Sequence, residues 1–457
     1  MTAKSFDIAL IGAGVVGCAA WRAFTLAGLS CILIEREADI ISGASKGNSA
    51  ILHTGFDATP GSLELACMRE GYRLYREIHE PLGLPLLETG AMVVAWSEEE
   101  LAKLPGIVAQ AHQNGVTDVT QITAEQVRAR EPGLANDVKG GVWIPGEALI
   151  DPWSAPLAYA RQALANGGTL HLNAEVTSGS LTGGTWTLTI KNAAPIQARI
   201  VINCAGNFGD LVEAIARPSP FTITPRKGQF VVYDKPAHGL VQSIILPVPT
   251  ARTKGIVITR TAFGNLLVGP TAEDQPERRL ATTETATLNA LHAAGCRMLP
   301  ALAGMEITTA YAGLRPATQF KDYQIEALPA QNWITAGGIR STGLTGALGI
   351  ARHMRGLYET HFGTLKPLPS PLWPRVPNLT ETLPRPHAQP GRSEIICHCE
   401  LVTHDEVAAA LASPLPAGSI GGLRRRTRCM MGRCQGFYCS RRVLELAAPY
   451  IPGLADA

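Results

Sequence analysis

The sequence lacks the features of a membrane-spanning, secreted or nucleic-acid-binding protein. No apolar run approaches the ~20 residues that a helix needs to cross a bilayer. The 40 basic and 38 acidic residues leave a formal charge of only +2, so no broad basic field attracts nucleic acid or an acidic membrane. The first residues, MTAKSFDIALIGAG, contain no charged segment followed by an apolar segment and a cleavage site. We therefore expect a cytoplasmic protein without a transmembrane segment, associated with the inner membrane only peripherally, through a partner.

The ten cysteines do not predict disulfides, because disulfide frameworks belong to small secreted domains and this chain has 457 residues. Five cysteines are scattered in apolar sequence and are interpreted as reduced packing residues: Cys18, Cys31, Cys67, Cys204 and Cys296. The other five crowd together near the C-terminus: Cys397, Cys399, Cys429, Cys434 and Cys439. In a reducing compartment such a cluster indicates a bound metal.

A proline-rich stretch predicts the main division of the chain. The sequence LKPLPSPLWPRVPNLTETLPRPHAQPGRS holds eight prolines, which remove backbone donors and exclude a helix interior or a central strand. We predict a semi-rigid, extended connector over 367–393, between a body of residues 1–366 and a tail of residues 394–457. The total length suits two to three folding units.

The start of the body predicts a dinucleotide site. The sequence FDIALIGAGVVGCAAWRAFTLAGLSCILIERE is typical of a strand, tight turn, helix and second strand. Gly12, Gly14 and Gly17 form GxGxxG directly after the first strand, and Glu35 ends the second strand, where a carboxylate accepts from a ribose hydroxyl. The alternative is a purely structural glycine turn, and the motif alone leaves FAD and NAD open.

The rest of the body mixes helices with β-rich segments. IPGEALIDPWSAPLAYARQALANGG predicts a turn and an amphipathic helix, and ARIVINCAG predicts a buried strand that runs into a glycine turn. The runs RKGQFVVYD, KGIVITRT and GNLLVGP predict an antiparallel sheet. The fold class is therefore α/β, or α+β overall, with a nucleotide unit and a separate β-rich platform.

Four further segments carry a family resemblance. SGASKGNSAILHTGFDATPGSLE, IPGEALIDP, YAGLRPAT and AGGIRSTGLTGALGIARHM resemble the D-amino-acid-oxidase-like flavoproteins, in particular the glycerol-3-phosphate and L-2-hydroxyglutarate dehydrogenase branch. The matches run from residue 6 to about residue 354. The resemblance implies FAD and a discontinuous Rossmann-type flavin domain. It also implies an antiparallel β-rich substrate domain, inserted at about 81–140 and 216–310.

The same resemblance implies a set of cofactor-binding residues. Gly12, Gly14, Gly17 and Glu35 would hold the ADP half, and Val176 would contact adenine through its backbone. The remaining residues would line the pyrophosphate, a second glycine turn and the flavin ring: Ser45, Asn48, Ser49, Ala205, Gly206, Gly338, Thr342, Gly343, Leu344 and Thr345. A helix beginning near Gly343 would stabilise negative charge on the reduced flavin.

Two residues are implied to act on the substrate. His53 is a candidate base for an alcohol proton, and the alternative is a residue that only positions substrate or backbone. Arg315 matches an arginine that holds a substrate anion, since a guanidinium fork suits a carboxylate or phosphate; a structural ion pair is the alternative. Arg340 and Lys227 are weaker candidates that would otherwise anchor loops.

One segment departs from the family pattern. Many relatives carry a T-P-T-V-H-G-like run where this chain reads TRTAFGN, so Arg260 replaces the proline and Phe263 replaces the histidine. If this strand borders the pocket, the substrate differs from glycerol 3-phosphate and Arg260 adds an anion contact. The alternative is that Arg260 faces solvent.

The tail carries C-x-C at Cys397 and Cys399, and C-x4-C at Cys434 and Cys439. Four thiolates hold either zinc or a 2Fe–2S cluster, but structural zinc usually prefers C-x2-4-C at both ends. The tail resembles the bacterioferritin-associated-ferredoxin-like domain fused to anaerobic glycerol-3-phosphate dehydrogenases and to opine and amine dehydrogenases. This resemblance implies a 2Fe–2S cluster on these four cysteines, with Cys429 as the spare.

Several arginines surround the tail cysteines: Arg424, Arg425, Arg426, Arg428 and Arg433. Four thiolates and two sulfides around two ferric ions leave a net negative core, which these cations would offset. The alternatives are a solvated basic face or a docking patch for an acidic partner.

The two modules together predict a dehydrogenase rather than an oxidase. A flavin takes two electrons as hydride, and a 2Fe–2S centre passes them on one at a time. An enzyme that gave its electrons directly to oxygen would not need this second centre. We expect oxidation of a CH–OH carbon on a small anion such as glycerol 3-phosphate or a 2-hydroxy acid, with a partner protein or a quinone as acceptor. The alternatives are CH–NH oxidation of an amino acid or opine, and an electron-transfer subunit of a multi-subunit dehydrogenase.

Overall fold

The computed structural model describes residues 5–249 and 255–454. Its strands are β1 Ser5–Ile11, β2 Cys31–Ile34, β3 Ile51–Leu52, β4 Leu86–Leu87, β5 Ala91–Ala95, β6 Thr120–Thr123, β7 Gly140–Ile144, β8 Ala148–Ile150, β9 Thr169–His171, β10 Val176–Thr182, β11 Thr185–Ile190, β12 Ile196–Asn203, β13 Thr224–Tyr233, β14 Ile244–Pro247, β15 Val257–Arg260, β16 Leu266–Gly269, β17 Glu273–Asp274, β18 Ile307–Ala317, β19 Gln324–Leu328, β20 Trp333–Gly337, β21 Ile395–Cys397 and β22 Val402–Thr403. Its α-helices are α1 Val15–Leu26, α2 Leu63–Leu82, α3 Glu98–Leu101, α4 Leu104–Gln113, α5 Ala124–Arg130, α6 Ser154–Ala165, α7 Gly209–Glu213, α8 Thr285–Met298, α9 Gly343–His361, α10 His404–Leu411, α11 Ile420–Thr427 and α12 Ser440–Ala447.

The first sheet has a parallel centre, as the nucleotide unit requires. Strand β1 pairs in parallel with β2 and β12, and the parallel order continues to β9 on one side and β20 on the other. Both faces of β1 are buried: Ile8 and Leu10 pack with the helices α1, α6 and α9, while Ala9 and Ile11 pack with residues of β10 to β12. Apolar residues on both faces are the expected pattern for a strand at the centre of a parallel sheet.

The second sheet has nine strands in the order β17-β13-β16-β15-β14-β5-β7-β6, with β18 also paired to β13. It is antiparallel apart from the parallel pair β5–β14, so the predicted antiparallel platform is confirmed. The long pair β13–β18 brings Arg226 opposite Arg315 and Lys227 opposite Leu314. This register determines which of these side chains reaches the space between the sheets.

Helices α2 and α9 cross at glycines, which brings the start of α9 close to the loop that contains His53. A Cβ atom on Gly71 would lie 2.1 Å from the carbonyl oxygen of Thr345, and one on Gly349 would lie 2.0 Å from that of Cys67. Only glycine allows these backbones to approach so closely. As a result the Thr345 hydroxyl accepts a hydrogen bond of 3.0 Å from the backbone N–H of His53.

Helix α6 corrects one prediction. We expected an amphipathic helix in this region, but nine of the residues from Ser154 to Ala165 are buried. One side packs against α1 in the apolar core. The other side is covered by the proline-rich stretch, whose Leu372 carbonyl accepts from Gln162 at 2.9 Å and from Asn166 at 3.0 Å.

The proline-rich stretch is extended, but it is not a free spacer between body and tail. Its backbone N–H groups donate to the body at four points, from Lys366 to Ala27, Leu368 to Leu26, Val376 to Leu82 and Glu381 to Ala262. Arg385 is 2% exposed and donates to the carbonyl of Glu400 in the tail at 2.9 Å. The tail is therefore tied to the body along this whole stretch.

The tail has its own small core. Helices α10, α11 and α12 and the β21–β22 pair bury an apolar cluster that includes Val407, Leu423 and Val443. A capping box at Thr403 and Glu406 starts α10. Arg428, in the left-handed conformation at φ 67°, ends α11 just before the cysteine segment. In the described ranges we find no helix long and apolar enough to cross a membrane.

Candidate functional site

A cavity of about 1320 Å³ is lined from both large sheets. This volume exceeds the ~300–1,000 Å³ of common small-molecule pockets, so a dinucleotide and a small substrate both find room. Fifteen of the residues predicted for the site line the cavity: Gly12, Gly14, Glu35, Ser45, Asn48, Ser49, His53, Val176, Ala205, Gly206, Arg315, Gly338, Thr342, Gly343 and Leu344. Gly17 and Thr345 are not among the lining residues and act from behind the surface.

The three glycines of the first turn have different surroundings. A Cβ atom on Gly17 would lie 1.8 Å from the carbonyl oxygen of Gly12, so Gly17 is required for the turn itself. Gly12 has φ +104°, and its Cβ would lie 2.6 Å from the oxygen of Cys204. By contrast, the only heavy atom near a Cβ on Gly14 would be Ser45 Oγ, at 3.1 Å. Gly14 therefore leaves room at the N-terminus of α1, where free N–H groups favour a phosphate.

Glu35 follows β2 and points back to the glycine turn. Its carboxylate accepts from the backbone N–H of Ala13 at 2.7 Å and from that of Glu37 at 3.0 Å. Burial raises the pKa of this carboxyl, and the two backbone donors partly offset that rise. The geometry puts an acceptor beside the anion-binding end of α1, where the ribose of a dinucleotide lies.

The loop from Gly43 to Ser49 passes directly over β18. A Cβ on Gly313 would lie 2.6 Å from the carbonyl oxygen of Gly47, and Tyr311 donates to the carbonyl of Asn48 at 2.6 Å. The Asn48 side chain bonds to Ser45 O at 3.0 Å and to Ala50 N at 2.7 Å, so it shapes the loop. Ser45 Oγ accepts from the N–H of Val15 at 3.0 Å and thereby joins this loop to α1.

His53 is held by a carboxylate that the sequence reasoning missed. Its Nδ1 lies 2.8 Å from Oε2 of Glu147, whose side chain is fully buried. The other oxygen of Glu147 accepts from the backbone N–H of Thr54 at 2.6 Å and from the Thr54 hydroxyl at 2.9 Å. Because Glu147 engages Nδ1, it directs proton transfer by the ring to Nε2. Glu147 lies in the segment IPGEALIDP, so the signal was present but had been used only for the resemblance.

Arg315 projects from β18 into the cavity and donates to the carbonyl of Thr271 at 2.6 Å. Burial, and then the neighbouring charge of Arg226, lower its pKa to about 10, so the guanidinium stays charged at neutral pH. Arg226 itself is held by Asp274 at 2.6 and 3.1 Å. A Cβ on Gly228 would lie 2.1 Å from an Arg315 guanidinium nitrogen, so the small residue on the adjacent strand makes space for this side chain.

Of the two weaker candidates, Arg340 and Lys227, only Arg340 is among the residues that line the cavity. Arg340 lines the cavity and donates to the carbonyl of Lys321. Lys227 lies outside the lining residues and pairs with Glu284 at 2.5 Å and with Glu273 at 3.4 Å. Its observed contacts are therefore those of a structural ion pair.

The segment that departs from the family pattern lies away from the cavity. Arg260 and Phe263 are not among the lining residues of the described chain. Arg260 bonds to the side-chain oxygen of Gln242 at 3.3 Å. The Phe263 ring stacks on Trp153, with ring centres 5.2 Å apart, and the guanidinium of Arg428 lies 4.1 Å from its centre. The change from the family pattern thus concerns the contact between body and tail.

The tail cysteines form two interacting pairs. All four are free thiols, and the pKa of Cys399 is affected by the neighbouring Cys434, as that of Cys439 is by the neighbouring Cys397. Burial raises the pKa of Cys434, but hydrogen bonds from the backbone of Tyr438, Gly436 and Phe437 and from Cys399 bring it below its usual value.

Cys429 differs from the other tail cysteines. It is completely buried, burial raises its pKa to about 11, and its sulfur lies 3.0 Å from the Thr427 hydroxyl. Burial raises the pKa of the proposed ligand Cys439 as well, so the hydrogen bond from the Thr427 hydroxyl, rather than burial, distinguishes Cys429.

In the part of the chain that the structure describes, no group of three or more histidine, cysteine or acidic side chains converges on one metal ion.

Most of the arginines near these cysteines hold the tail against other groups. Arg426 pairs with Asp39 of the body at 2.7 Å, and Arg433 pairs with Asp234 of the body. Arg428 pairs with Glu400 of the tail at 2.9 Å, and Arg425 donates to the carbonyl of Ile40 at 3.4 Å. These contacts account for four of the five cations as docking and structural groups.

Comparison with known proteins gives matches for both modules. The family model described as FAD dependent oxidoreductase matches residues 7–357, and that of the BFD-like [2Fe-2S] binding domain matches residues 395–448. The chain is 32% identical over 453 residues to a glycerol 3-phosphate dehydrogenase of Caloramator mitchellensis, covering 97% of this chain and 94% of the relative. It is 28% identical over 285 residues to a mitochondrial L-2-hydroxyglutarate dehydrogenase of Homo sapiens, covering 59% of this chain and 61% of the relative.

A solved structure supports the fold of the body. The dithionite-reduced L-α-glycerophosphate oxidase of Mycoplasma pneumoniae, with FAD bound, superposes with a TM-score of 0.75 at 26% identity. The match covers 81% of this chain and 97% of the oxidase.

The residues present fit both cofactors. The space left at Gly14, the helix N-terminus behind it and the acceptor at Glu35 suit the pyrophosphate and ribose of FAD. The paired tail thiols, with backbone donors aimed at Cys434, suit a 2Fe–2S cluster. The chain therefore belongs to the FAD-dependent oxidoreductases and carries a BFD-like 2Fe–2S binding domain behind its flavin-binding body.

Proposed function

We propose that the protein is a dehydrogenase that oxidises the CH–OH carbon of glycerol 3-phosphate or a closely similar small anion. The observation that carries the proposal is that the half-buried cation Arg315 and the Glu147-supported His53 line the same cavity as the glycine turn. The relative that matches along almost the whole chain is called a glycerol 3-phosphate dehydrogenase. A 2-hydroxy acid, the substrate type in the name of the L-2-hydroxyglutarate relative, is the second candidate.

Each of these residues has a definite task in this proposal. Arg315 binds the phosphate or carboxylate of the substrate through its guanidinium fork and sets the orientation of the carbon to be oxidised. His53 accepts the hydroxyl proton at Nε2, because Glu147 engages Nδ1. FAD, when bound, accepts the hydride. The first turn of α9, starting at Gly343, points free N–H groups at the flavin site.

The assignment of individual cofactor contacts is part of this proposal. It assigns these residues to FAD: Gly12, Gly14, Gly17, Glu35, Ser45, Asn48, Ser49, Val176, Ala205, Gly206, Gly338, Thr342, Gly343, Leu344 and Thr345. It also places the substrate domain at about 81–140 and 216–310. In the tail it assigns Cys397, Cys399, Cys434 and Cys439 to the cluster.

We further propose that electrons leave the molecule through the tail, to a partner protein or a quinone. Phe437 and Tyr438 lie between the ligands Cys434 and Cys439 and are 82% and 79% exposed. Their rings meet edge to face, with centres 5.1 Å apart, and together form an exposed apolar surface. This face supports an external acceptor that approaches directly beside the cluster.

Anaerobic titration of the holoprotein tests the substrate. Glycerol 3-phosphate should bleach the flavin absorbance, whereas unphosphorylated glycerol should not, because it lacks the anion that Arg315 binds. L-2-Hydroxyglutarate, amino acids and opines form the comparison panel. Bleaching by an amino acid or opine alone would replace the proposal with CH–NH oxidation. If no compound bleaches the flavin while dithionite does, the chain acts as an electron-transfer subunit.

A further inference from the structure

The tail docks on the dinucleotide end of the body through a buried ion pair. Arg426 binds Asp39 with both guanidinium nitrogens, at 2.8 and 2.7 Å, and the two side chains are 6% and 1% exposed. The backbone N–H of Gly418 donates to the same carboxylate at 3.1 Å. Ile41, two residues after Asp39 in the body, donates its backbone N–H to the carbonyl of Ala13 in the glycine turn at 2.9 Å. The cluster-binding tail is thus held against the loop that borders the FAD cavity.

A second contact between tail and body is a column of stacked groups. Trp153 donates from its ring nitrogen to the carbonyl of Lys46, which lines the cavity, at 3.1 Å. Its ring stacks on that of Phe263, with 14° between the ring planes. The guanidinium of Arg428 lies 4.1 Å from the centre of the Phe263 ring on the tail side. The column therefore begins at the flavin loop and ends in the tail.

The last group of the column touches the cluster segment. Arg428 donates to Glu400 at 2.9 Å, and Glu400 directly follows Cys399. Phe263 and Arg428 are both nearly fully buried, so this part of the column is packed without a water layer. Lys46, Trp153, Phe263 and Arg428 thus form a continuous series of contacts. Through Glu400 this series reaches the residue next to the proposed cluster ligand Cys399.

We propose that the Trp153–Phe263–Arg428 column is the electronic contact between the FAD site and the cluster site. The inference rests on the proposed function, in which the flavin feeds the cluster. The reduced flavin gives up two electrons and two protons in total. Each electron in turn reduces one ferric ion, and a one-electron acceptor outside the protein reoxidises the cluster between the two transfers. Transfer through contiguous packed groups is faster than transfer across a gap of the same length, so a break in the column slows this step.

This proposal accounts for the departure in the segment TRTAFGN. Phe263 stands where many relatives carry a histidine, and in this chain its ring is enclosed between Trp153 and Arg428. The residue thus serves the body–tail contact rather than substrate choice.

The test uses the full chain with both cofactors and the variants Phe263→Leu and Trp153→Leu. Light in the presence of EDTA reduces the flavin without any substrate, and the absorbance of the cluster then reports its reduction. We expect several-fold slower cluster reduction in both variants, with an unchanged cluster potential by voltammetry. The matched control is Trp373→Leu, because Trp373 also stacks under an arginine, with Arg22 at 5.5 Å, but lies outside the column.

Docking is measured separately, by limited proteolysis of the same proteins. Asp39→Asn weakens the buried ion pair and leaves the column in place. Slower cluster reduction in Phe263→Leu with wild-type resistance to proteolysis supports the column. Unchanged rates of cluster reduction in both Phe263→Leu and Trp153→Leu overturn the proposal. It is also overturned if Asp39→Asn slows cluster reduction as much as Phe263→Leu does and the two variants are equally sensitive to proteolysis, because the column would then only dock the tail. If the wild-type cluster is never reduced by the photoreduced flavin, the proposed electron flow itself fails.

Discussion

Arg315 depends on its neighbours for both its position and its charge. The Thr271 carbonyl orients the guanidinium, and the absence of a side chain at Gly228 leaves it space. Burial lowers its pKa to about 10 but leaves the group charged at neutral pH. An anion in the cavity thus meets a cation that has already lost most of its contact with water, which strengthens the interaction.

Arg315→Lys should weaken substrate binding while FAD stays bound. Lysine keeps the charge but loses the bidentate fork, which costs about 1.5–3 kcal/mol of charged hydrogen bonding. This corresponds to roughly a 10- to 100-fold higher KM in steady-state kinetics. Arg260→Lys, outside the cavity, is the control and should leave KM unchanged. Equal KM values for the Arg315 variant and the wild type would remove Arg315 from the substrate site.

Glu147→Gln should lower kcat with little change in KM. The neutral amide no longer stabilises the protonated imidazole of His53, so the acidic limb of the kcat–pH profile should move to lower pH. The loss should be smaller than the about 10²–10⁴-fold that removal of a general base costs.

The control for Glu147 is Glu131→Gln, which changes a carboxylate that is equally buried but bonds to Ser243 elsewhere. A pH profile that does not move in the Glu147 variant would show that His53 takes no proton in the rate-limiting step.

Among the secondary-structure elements, the β1–α1 unit separates two roles of glycine. Gly17 is needed for the turn, since its Cβ would overlap the oxygen of Gly12, whereas a Cβ on Gly14 would meet only the side-chain oxygen of Ser45, at 3.1 Å, among the described residues. Gly14→Val should therefore give a folded protein without FAD, and Gly17→Val should give a destabilised one. Acid release of the chromophore measures the FAD content, and thermal unfolding measures stability.

Gly239→Val is the matched control for the glycine variants, because no atom of the described residues lies within 4 Å of its Cβ position and Gly239 is not among the residues that line the cavity. It should keep both FAD and stability. Full flavin content in the Gly14 variant would mean that the pyrophosphate lies elsewhere.

At the scale of the whole molecule, the tail is a BFD-like 2Fe–2S binding domain attached to the flavin-binding body. In the buried Arg426–Asp39 pair, Arg426 also donates to the carbonyl of Gly422, and Asp39 also accepts from the backbone N–H of Gly418. Removal of one partner would leave the other charge buried and unpaired, which destabilises the fold. The proline-rich stretch adds backbone bonds to the body along its length. Such a double attachment holds the cluster site at a constant place relative to the FAD cavity.

Cys434→Ser should abolish the cluster absorbance and the EPR signal of the reduced cluster, while Cys429→Ser should keep both. The reason is that Cys434 lies among backbone donors and pairs with Cys399, whereas Cys429 is buried against Thr427. Flavin reduction by substrate should survive in the Cys434 variant, because hydride transfer takes place in the body.

Reoxidation by the external acceptor should fail in the Cys434 variant. Continued turnover with that acceptor would show that the flavin reaches it directly. Zinc in place of iron, by elemental analysis of anaerobically prepared protein, would exclude the cluster.

Local pattern was sufficient to predict a dinucleotide site and a metal site, and the family resemblance then identified the cofactors as FAD and a 2Fe–2S cluster. The glycine turn and its acid lie within one strand–helix–strand unit, and the C-x-C and C-x4-C motifs of the tail each lie within one short segment. Spacing along the chain reports such units because their geometry depends on residues close in sequence. The individual site residues remain predictions, although fifteen of them line one cavity.

The sequence by itself determined a dinucleotide-binding unit and a metal-binding tail, because both patterns are short-range, and the family resemblance of its segments narrowed these to FAD and a 2Fe–2S cluster. Only the tertiary structure decided that Glu147 supports His53, that Lys227 sits in an ion pair, and that Phe263 faces the tail. It also decided that the proline-rich stretch adheres to the body. These outcomes depend on contacts between segments far apart in the chain, and strand register and packing, rather than local spacing, determine which side chains meet.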